Sequence, residues 1–127
     1  MKLFIGGYAQ GKLDYVLKKY SRENCEVWDG EIPVKPESEK KILIVNHFHN
    51  WVKKRLTEGG EVEQEILSFV EKYPDCVIIS DEIGNGIVPM DAFERAYREQ
   101  TGRILIELAK RAEEVERIVC GLEQKIK

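Results

Sequence analysis

The sequence predicts an α/β fold, with a mostly parallel sheet flanked by helices in one compact domain over residues 1–127. Three observations lead there. Short β-rich apolar runs alternate with stretches of helical apolar spacing. Two of these runs, Lys41–Val45 and Cys76–Ser80, are nearly continuous in apolar residues, as strands buried on both faces are. A glycine-rich loop, Gly6–Gly11, joins the first strand to the first helix. A chain of 127 residues suits a single core, because halves of it would fall near the lower size limit for a domain.

The elements follow in order. Lys2–Ile5 reads as a short strand, and Lys12–Tyr20 as a helix with Leu13, Val16, Leu17 and Tyr20 at helical spacing. Cys25–Trp28 reads as a second strand. Asp29–Lys40 holds Gly30, Pro33 and Pro36 among charges, which marks a loop. After the Lys41–Val45 strand, a helix spans His47–Thr57 and stops at Gly59-Gly60. The next helix, Glu61–Tyr73, puts Val62, Ile66, Phe69 and Val70 on one face and breaks at Pro74-Asp75. Cys76–Ser80 is the second buried strand, and Asp81–Met90 a glycine-punctuated loop. Asp91 caps a long helix, with Glu94 as its capping-box partner and an apolar side of Phe93, Tyr97, Ile104, Leu108, Ala112 and Val115. Arg117–Cys120 is a last core strand, Gly121 a turn, and Lys125–Lys127 a terminal strand.

Composition excludes several function classes. Twenty basic and 23 acidic residues give a net charge of −3, which argues against a dedicated nucleic-acid coat or a basic membrane-surface module. The longest apolar runs are of the size of Ile42–Val45, far short of the roughly 20 residues of a membrane-spanning helix. Met1–Ile5 is too short for a signal-peptide core. The three cysteines, Cys25, Cys76 and Cys120, are widely spaced; they suggest neither a disulfide framework nor a metal pair, and fit reduced thiols in a cytoplasmic protein.

The first chemical signal is Gly6-Gly7-Tyr8-Ala9-Gln10-Gly11-Lys12-Leu13, which has the spacing G-x-x-x-x-G-K between a strand and a helix. Glycines let such a loop turn its N–H groups inward. The helix terminus adds positive potential, and Lys12 adds a full charge for phosphate. The residue after the lysine in such loops is Ser or Thr, whose hydroxyl ligates Mg²⁺; here it is Leu13. Asp81 and Glu82 follow a buried strand and are candidate ligands for Mg²⁺.

His47 and His49 lie just past the end of another buried strand, at the sheet edge where open α/β folds bind ligands. Either can serve as a nucleophile toward phosphorus or as a general base. Their i, i+2 spacing puts the rings on different faces of a helix, so they act together only if that segment is not helical. Arg95 and Arg98 are neighbours on the long helix, and Arg98 is a candidate phosphate contact.

The C-terminal half resembles the adenosylcobinamide kinase/adenosylcobinamide-phosphate guanylyltransferase family. Ser80-Asp81-Glu82-Ile83-Gly84-Asn85-Gly86-Ile87-Val88-Pro89 is similar to its N-E-V-G-x-G-I-V-P motif. Arg95–Glu99 resembles its R-x-F-R-D, Ala112–Val115 its A-D-E-V, and Gly6–Lys12, more loosely, its glycine loop G-G-A-R-S-G-K-S. The resemblance implies a P-loop α/β fold, ATP or GTP as substrate, and a symmetric homo-oligomer. It further implies a corrinoid substrate. The family phosphorylates adenosylcobinamide and transfers GMP to that phosphate through a histidine–GMP intermediate.

The chain departs from the family at several places. The stretch between the first helix and the Lys41–Val45 strand, where the family carries its guanylylated histidine, is short here and has no histidine. The family's acidic residue after that strand is Asn46, and its Asn-Gln pair on the long helix is Leu105-Ile106. Two other readings therefore stand beside an active transferase. One is a catalytically degenerate nucleotide- or corrinoid-binding protein of the same fold. The other is a small kinase or NTPase with a different substrate.

Overall fold

Six strands form one sheet in the computed structural model, which describes residues 1–83 and 91–127. The order across the sheet is β2-β3-β4-β1-β5-β6. The strands are β1 (Lys2–Gly6), β2 (Cys25–Asp29), β3 (Ile42–Asn46), β4 (Val77–Asp81), β5 (Glu114–Val119) and β6 (Leu122–Lys125). The first five run parallel, and β6 returns antiparallel along β5. The helices are α1 (Lys12–Tyr20), α2 (Phe48–Thr57), α3 (Val62–Lys72) and α4 (Ala92–Arg111). The predicted α/β class is therefore the observed one. Gly84–Met90, which carries most of the glycine-rich resemblance and of the predicted Asp81–Met90 loop, lies outside the described residues.

The alternation of side chains explains why both faces of the sheet are covered. On one face Leu3, Leu43, Val45, Ile78 and Val115 pack with residues of α2, α3 and α4. On the other, Phe4, Ile44, Val77, Ile79 and Ile118 pack with Val16 and Leu17 of α1. Neighbouring residues of each central strand thus enter different cores, so these strands read as unbroken apolar runs. None of the described helices is long and apolar enough to cross a membrane.

Residues 30–41 connect two adjacent parallel strands without a helix. Glu26 fixes this segment: its carboxylate accepts from the N–H groups of Glu37 and Ser38, at 3.1 and 3.0 Å, and from the indole of Trp28.

Most element ends lie within one residue of expectation, and two strands depart from it further. The last core strand begins at Glu114 rather than Arg117, because α4 stops at Arg111. Ala112 and Val115 still reach the core beside α4, but from the turn and the strand. An apolar residue at helical spacing just past a helix end mimics continued helix. The terminal strand is Leu122–Lys125 rather than Lys125–Lys127. Cys120 and Gly121, at φ 51° and 74°, form a two-residue turn that starts the return immediately. Asp91 does cap α4, accepting from the N–H groups of Phe93 and Glu94. The Glu94 carboxylate, however, pairs with Lys53 at 2.9 Å.

Candidate active site

The carboxyl ends of β1, β2, β3 and β4 bring together four separate parts of the sequence. Gly6 ends β1 and lies opposite Asp81, the last residue of β4. Asp29 ends β2 opposite Asn46, the last residue of β3. The glycine loop and His47 rise from this edge. Ligands of open α/β sheets bind at this end of the strands.

The glycine loop is held in a bent form. A β-carbon at Gly6 would lie 2.5 Å from the Ile118 carbonyl oxygen, so only glycine lets β1 and β5 approach there. Ala9 and Gly11 take left-handed conformations, φ 54° and 82°, the kind of alternation that bends backbone into an anion-binding concavity. Gly11 starts α1 with no side-chain cap, leaving the first N–H groups of the helix open. Gln10 ties the loop to the β5–β6 turn. Its side-chain oxygen accepts from the Cys120 N–H at 2.8 Å, and its carbonyl accepts from the Gly121 N–H at 2.8 Å.

Lys12 does not extend into solvent. Its ammonium donates to the Gly7 carbonyl at 2.6 Å and pairs with Asp81 Oδ1 at 2.7 Å. The lysine side chain is only 7% exposed and the aspartate 15%. The loop's cation is thus buried and already partnered. Glu82 faces elsewhere: its carboxylate binds Arg117 at 2.9 and 3.1 Å, while its N–H donates to the Gly6 carbonyl.

The two histidines occupy different states. His49 is buried in α2, and its Nδ1 accepts the Asp81 N–H at 3.1 Å. That leaves the proton on Nε2, which faces Asp81 Oδ2 at 3.4 Å. Nδ1 is therefore engaged, and Nε2 lies close to the Asp81 carboxylate. Burial pushes the His49 pKa below the usual imidazole value, and His47 and Lys12 push the same way, while Asp81 and Asp29 oppose them.

His47 precedes α2 in a left-handed conformation, φ 51°, at the sharp strand-to-helix turn. Non-glycine residues held there often mark functional positions. Its Nδ1 donates to Asp29 Oδ1 at 2.5 Å, and the Asn46 amide donates to the same oxygen at 2.9 Å. This fixes the Nε2 lone pair as the free one, on a side chain that is 44% exposed. The non-helical backbone at His47 also brings the two rings together, perpendicular and 5.6 Å apart. The i, i+2 spacing did not forbid their meeting.

Tyr8 to Asp14, with Asn46, His47 and Asp81, enclose a cavity of about 300 Å³. Lys12, His47, Asp81 and the glycine loop are therefore in one place, with His49 directly behind Asp81. Arg98 is partly buried on α4, beside the buried Tyr97. A larger cavity of about 680 Å³ lies at the opposite edge, against Ile42, Leu43 and Cys76, and holds none of the predicted site residues. Asp29 was not among those predicted. Its signal was the one used for Asp81, an acid ending a β-rich run, but the run Cys25–Trp28 is short and Asp29 opens a loop-like segment.

Residues 19–126 match the cobinamide kinase / cobinamide phosphate guanyltransferase family. The chain belongs to this family. The match begins within α1, so the glycine loop precedes it. The chain is similar to the bifunctional adenosylcobalamin biosynthesis protein CobU of Escherichia coli strain K12, 36% identical over 70 residues. It is 41% identical over 70 residues to the protein of the same name from Salmonella typhimurium strain LT2. Each alignment covers 52% of this chain and 39% of the relative, so the chain matches well under half the length of either.

Proposed function

We propose that the protein is a nucleotide-dependent transferase of cobalamin biosynthesis, acting as a kinase or guanylyltransferase on adenosylcobinamide or its phosphate. Membership of the family supports the reaction class. The observation that carries the assignment to this chain is the Asp29–His47 pair beside the glycine loop. Phosphates of GTP or ATP enter the cavity bounded by Tyr8–Leu13, where Gly6, Gly7 and Gly11 shape the loop and Lys12 is the cation at hand. Arg98 is a further candidate for nucleotide charge.

His47 stands in for the histidine missing from the preceding stretch. Asp29 holds its Nδ1–H, so that Nε2 presents a lone pair, as in other histidine–carboxylate pairs. Nε2 attacks the α-phosphorus of GTP, the bond to the leaving oxygen breaks, and pyrophosphate departs. The phosphate of the corrinoid then attacks the same phosphorus and returns the ring to its neutral form. His49 does not take this role, because it is buried behind Asp81, whose N–H its Nδ1 accepts; it positions that residue.

The side chains do not form a ready Mg²⁺ site. Leu13 offers no oxygen, Glu82 is bound to Arg117, and Asp81 is bound to Lys12. Among the described residues no group of three or more potential ligands gathers to hold a metal. A cytoplasmic location and a homo-oligomer complete the proposal.

The test is conversion of adenosylcobinamide, and of its phosphate, by the purified protein with GTP or ATP and Mg²⁺. Formation of the phosphorylated or guanylylated corrinoid is expected. If both compounds return unchanged while a family relative converts them, the assignment fails. A second reading, a nucleotide binder without catalysis, is favoured by Leu13 and by the engaged Asp81. It predicts GTP binding that is equal with Mg²⁺ and with EDTA.

A further inference from the structure

The connection between β2 and β3 leaves part of the sheet uncovered. Parallel neighbours are ordinarily joined through a helix, but residues 30–41 carry none. A cavity of about 680 Å³ opens between this segment, the amino ends of β3 and β4, and the end of α3. It is more than twice the size of the cavity of about 300 Å³ at the glycine loop, and it lies at the other end of the strands.

Its inner wall is apolar and fixed. Leu43 of β3 and Cys76, just before β4, are buried, and Ile42 and Tyr73 are half-buried beside them. The Cys76 N–H donates to the Tyr73 carbonyl at 3.1 Å, and the Pro74 carbonyl accepts from the amino terminus. The facing wall belongs to the segment that the Glu26 carboxylate holds through the Glu37 and Ser38 N–H groups.

The mouth is cationic. Lys35, Lys40, Lys41 and Lys72 line it, all exposed, against Glu39 and Asp75. That is an excess of two positive charges in a chain of net charge −3. Among the described residues, lysine ion pairs are made by Lys12, Lys19, Lys53, Lys54 and Lys110, and by none of these four. Lys72 lies in the last turn of α3, where it offsets the negative end of the helix, and its ammonium stands 5.5 Å from the centre of the Tyr73 ring. The lining holds no arginine. Lysines are point charges without the planar fork that matches a carboxylate, so the set suits the spread charge of a phosphate.

We propose that this cavity is a second ligand site, for a small organic phosphate. Its apolar body packs against Leu43, Ile42 and Tyr73, and its phosphate lies among the lysines at the mouth. Sites for small molecules combine apolar walls with a few charged groups in this way, in volumes of roughly 300–1,000 Å³. The site is separate from the glycine loop and does not depend on the reading of that loop.

Calorimetric titration of naphthyl phosphate into the full chain tests this, with inorganic phosphate and naphthol as the charge alone and the ring alone. Saturable binding of naphthyl phosphate at one site per chain is expected, at least about tenfold tighter than either fragment. Lys41→Gln/Lys72→Gln is expected to weaken it by at least about tenfold, and Asp75→Asn to strengthen it. These side chains are exposed, and circular dichroism confirms the fold of each variant. Amide chemical shifts should move at residues 40–43 and 72–76 and stay in place at residues 8–13. No binding, inorganic phosphate bound as tightly as the ester, affinity unchanged by the double lysine variant, or shifts centred on residues 8–13 would overturn the proposal. Tighter binding of heparin than of naphthyl phosphate by the same lysines would also overturn it, because they would then form an open polyanion surface.

Discussion

Replacing Asp81 with asparagine separates two roles of the buried Lys12–Asp81 pair. At 2.7 Å and low exposure, the gross attraction is about 6 kcal/mol for an effective dielectric near 20. Desolvation of both charges cancels much of this, and the cost of removing one partner is set by the charge left behind, about 3–5 kcal/mol for a buried pair. The asparagine oxygen can still accept from Lys12, as the Gly7 carbonyl does, so about 2–3 kcal/mol is the expected loss. For a domain of this size that is a fall in Tm of roughly 8 °C. Phosphate affinity should move the other way. A lysine freed from its carboxylate is a stronger phosphate partner, and GTP in EDTA should bind about fivefold tighter, or about 1 kcal/mol. Urea unfolding and calorimetric titration, each on Asp81→Asn and wild type, read the two effects. A variant as stable as wild type, or one that binds GTP in EDTA more weakly, would refute the reading that Asp81 is the partner that keeps Lys12 buried.

Other expectations follow from the same geometry. Gln10→Ala removes the bond to the Cys120 N–H and should weaken GTP binding by roughly threefold to tenfold, with faster hydrogen exchange in the loop; Gln10→Glu keeps an acceptor and should restore slow exchange but not GTP binding, because its charge lies in the phosphate cavity. His49 binds its proton less readily in the folded state, so the stabilising effect of its neutral form is present above about pH 6.5 and lost as pH falls through the lowered folded value. His49→Gln should therefore flatten the fall in Tm between about pH 7 and pH 5, and an unchanged slope would contradict the assignment. Cys120 is exposed, whereas Cys25 and Cys76 are buried and burial pushes the Cys76 thiol up to about 12. One thiol should react rapidly with a disulfide reagent in the native protein, and Cys120→Ser should remove that phase.

The fold was legible because its signals are local and repeated. Buried runs such as Ile42–Val45 and Val77–Ile79 name their strands, and the glycines after β1 name the loop. What sequence left ambiguous was decided by contacts far apart in the chain. The end of α4 was blurred because Ala112 and Val115 keep helical spacing after the helix stops. The site was half legible. Lys12, Asp81 and the histidines were singled out by residue type and strand-end position, but their roles depend on pairing across strands. Asp29 meets His47 only because β2 lies beside β3, and Glu82 turns away only because Arg117 of β5 is near. The distinction between the histidines was equally hidden, since it comes from the left-handed backbone at His47 and from the Asp81 N–H behind His49. The resemblance to the family carried the reaction class, and the geometry shows which candidate residues lie together at the sheet edge.

The most direct test of the account is whether His47 accepts a nucleotide. The protein is incubated with GTP labelled in the α-phosphate, quenched, and separated from free nucleotide. The account predicts protein-bound label that is stable to base and released by acid, as a phosphoramidate is. His47→Asn should abolish the label, Asp29→Asn should reduce it, and His49→Gln should leave it detectable. A wild-type protein that takes up no label, or a label that survives His47→Asn, would contradict it.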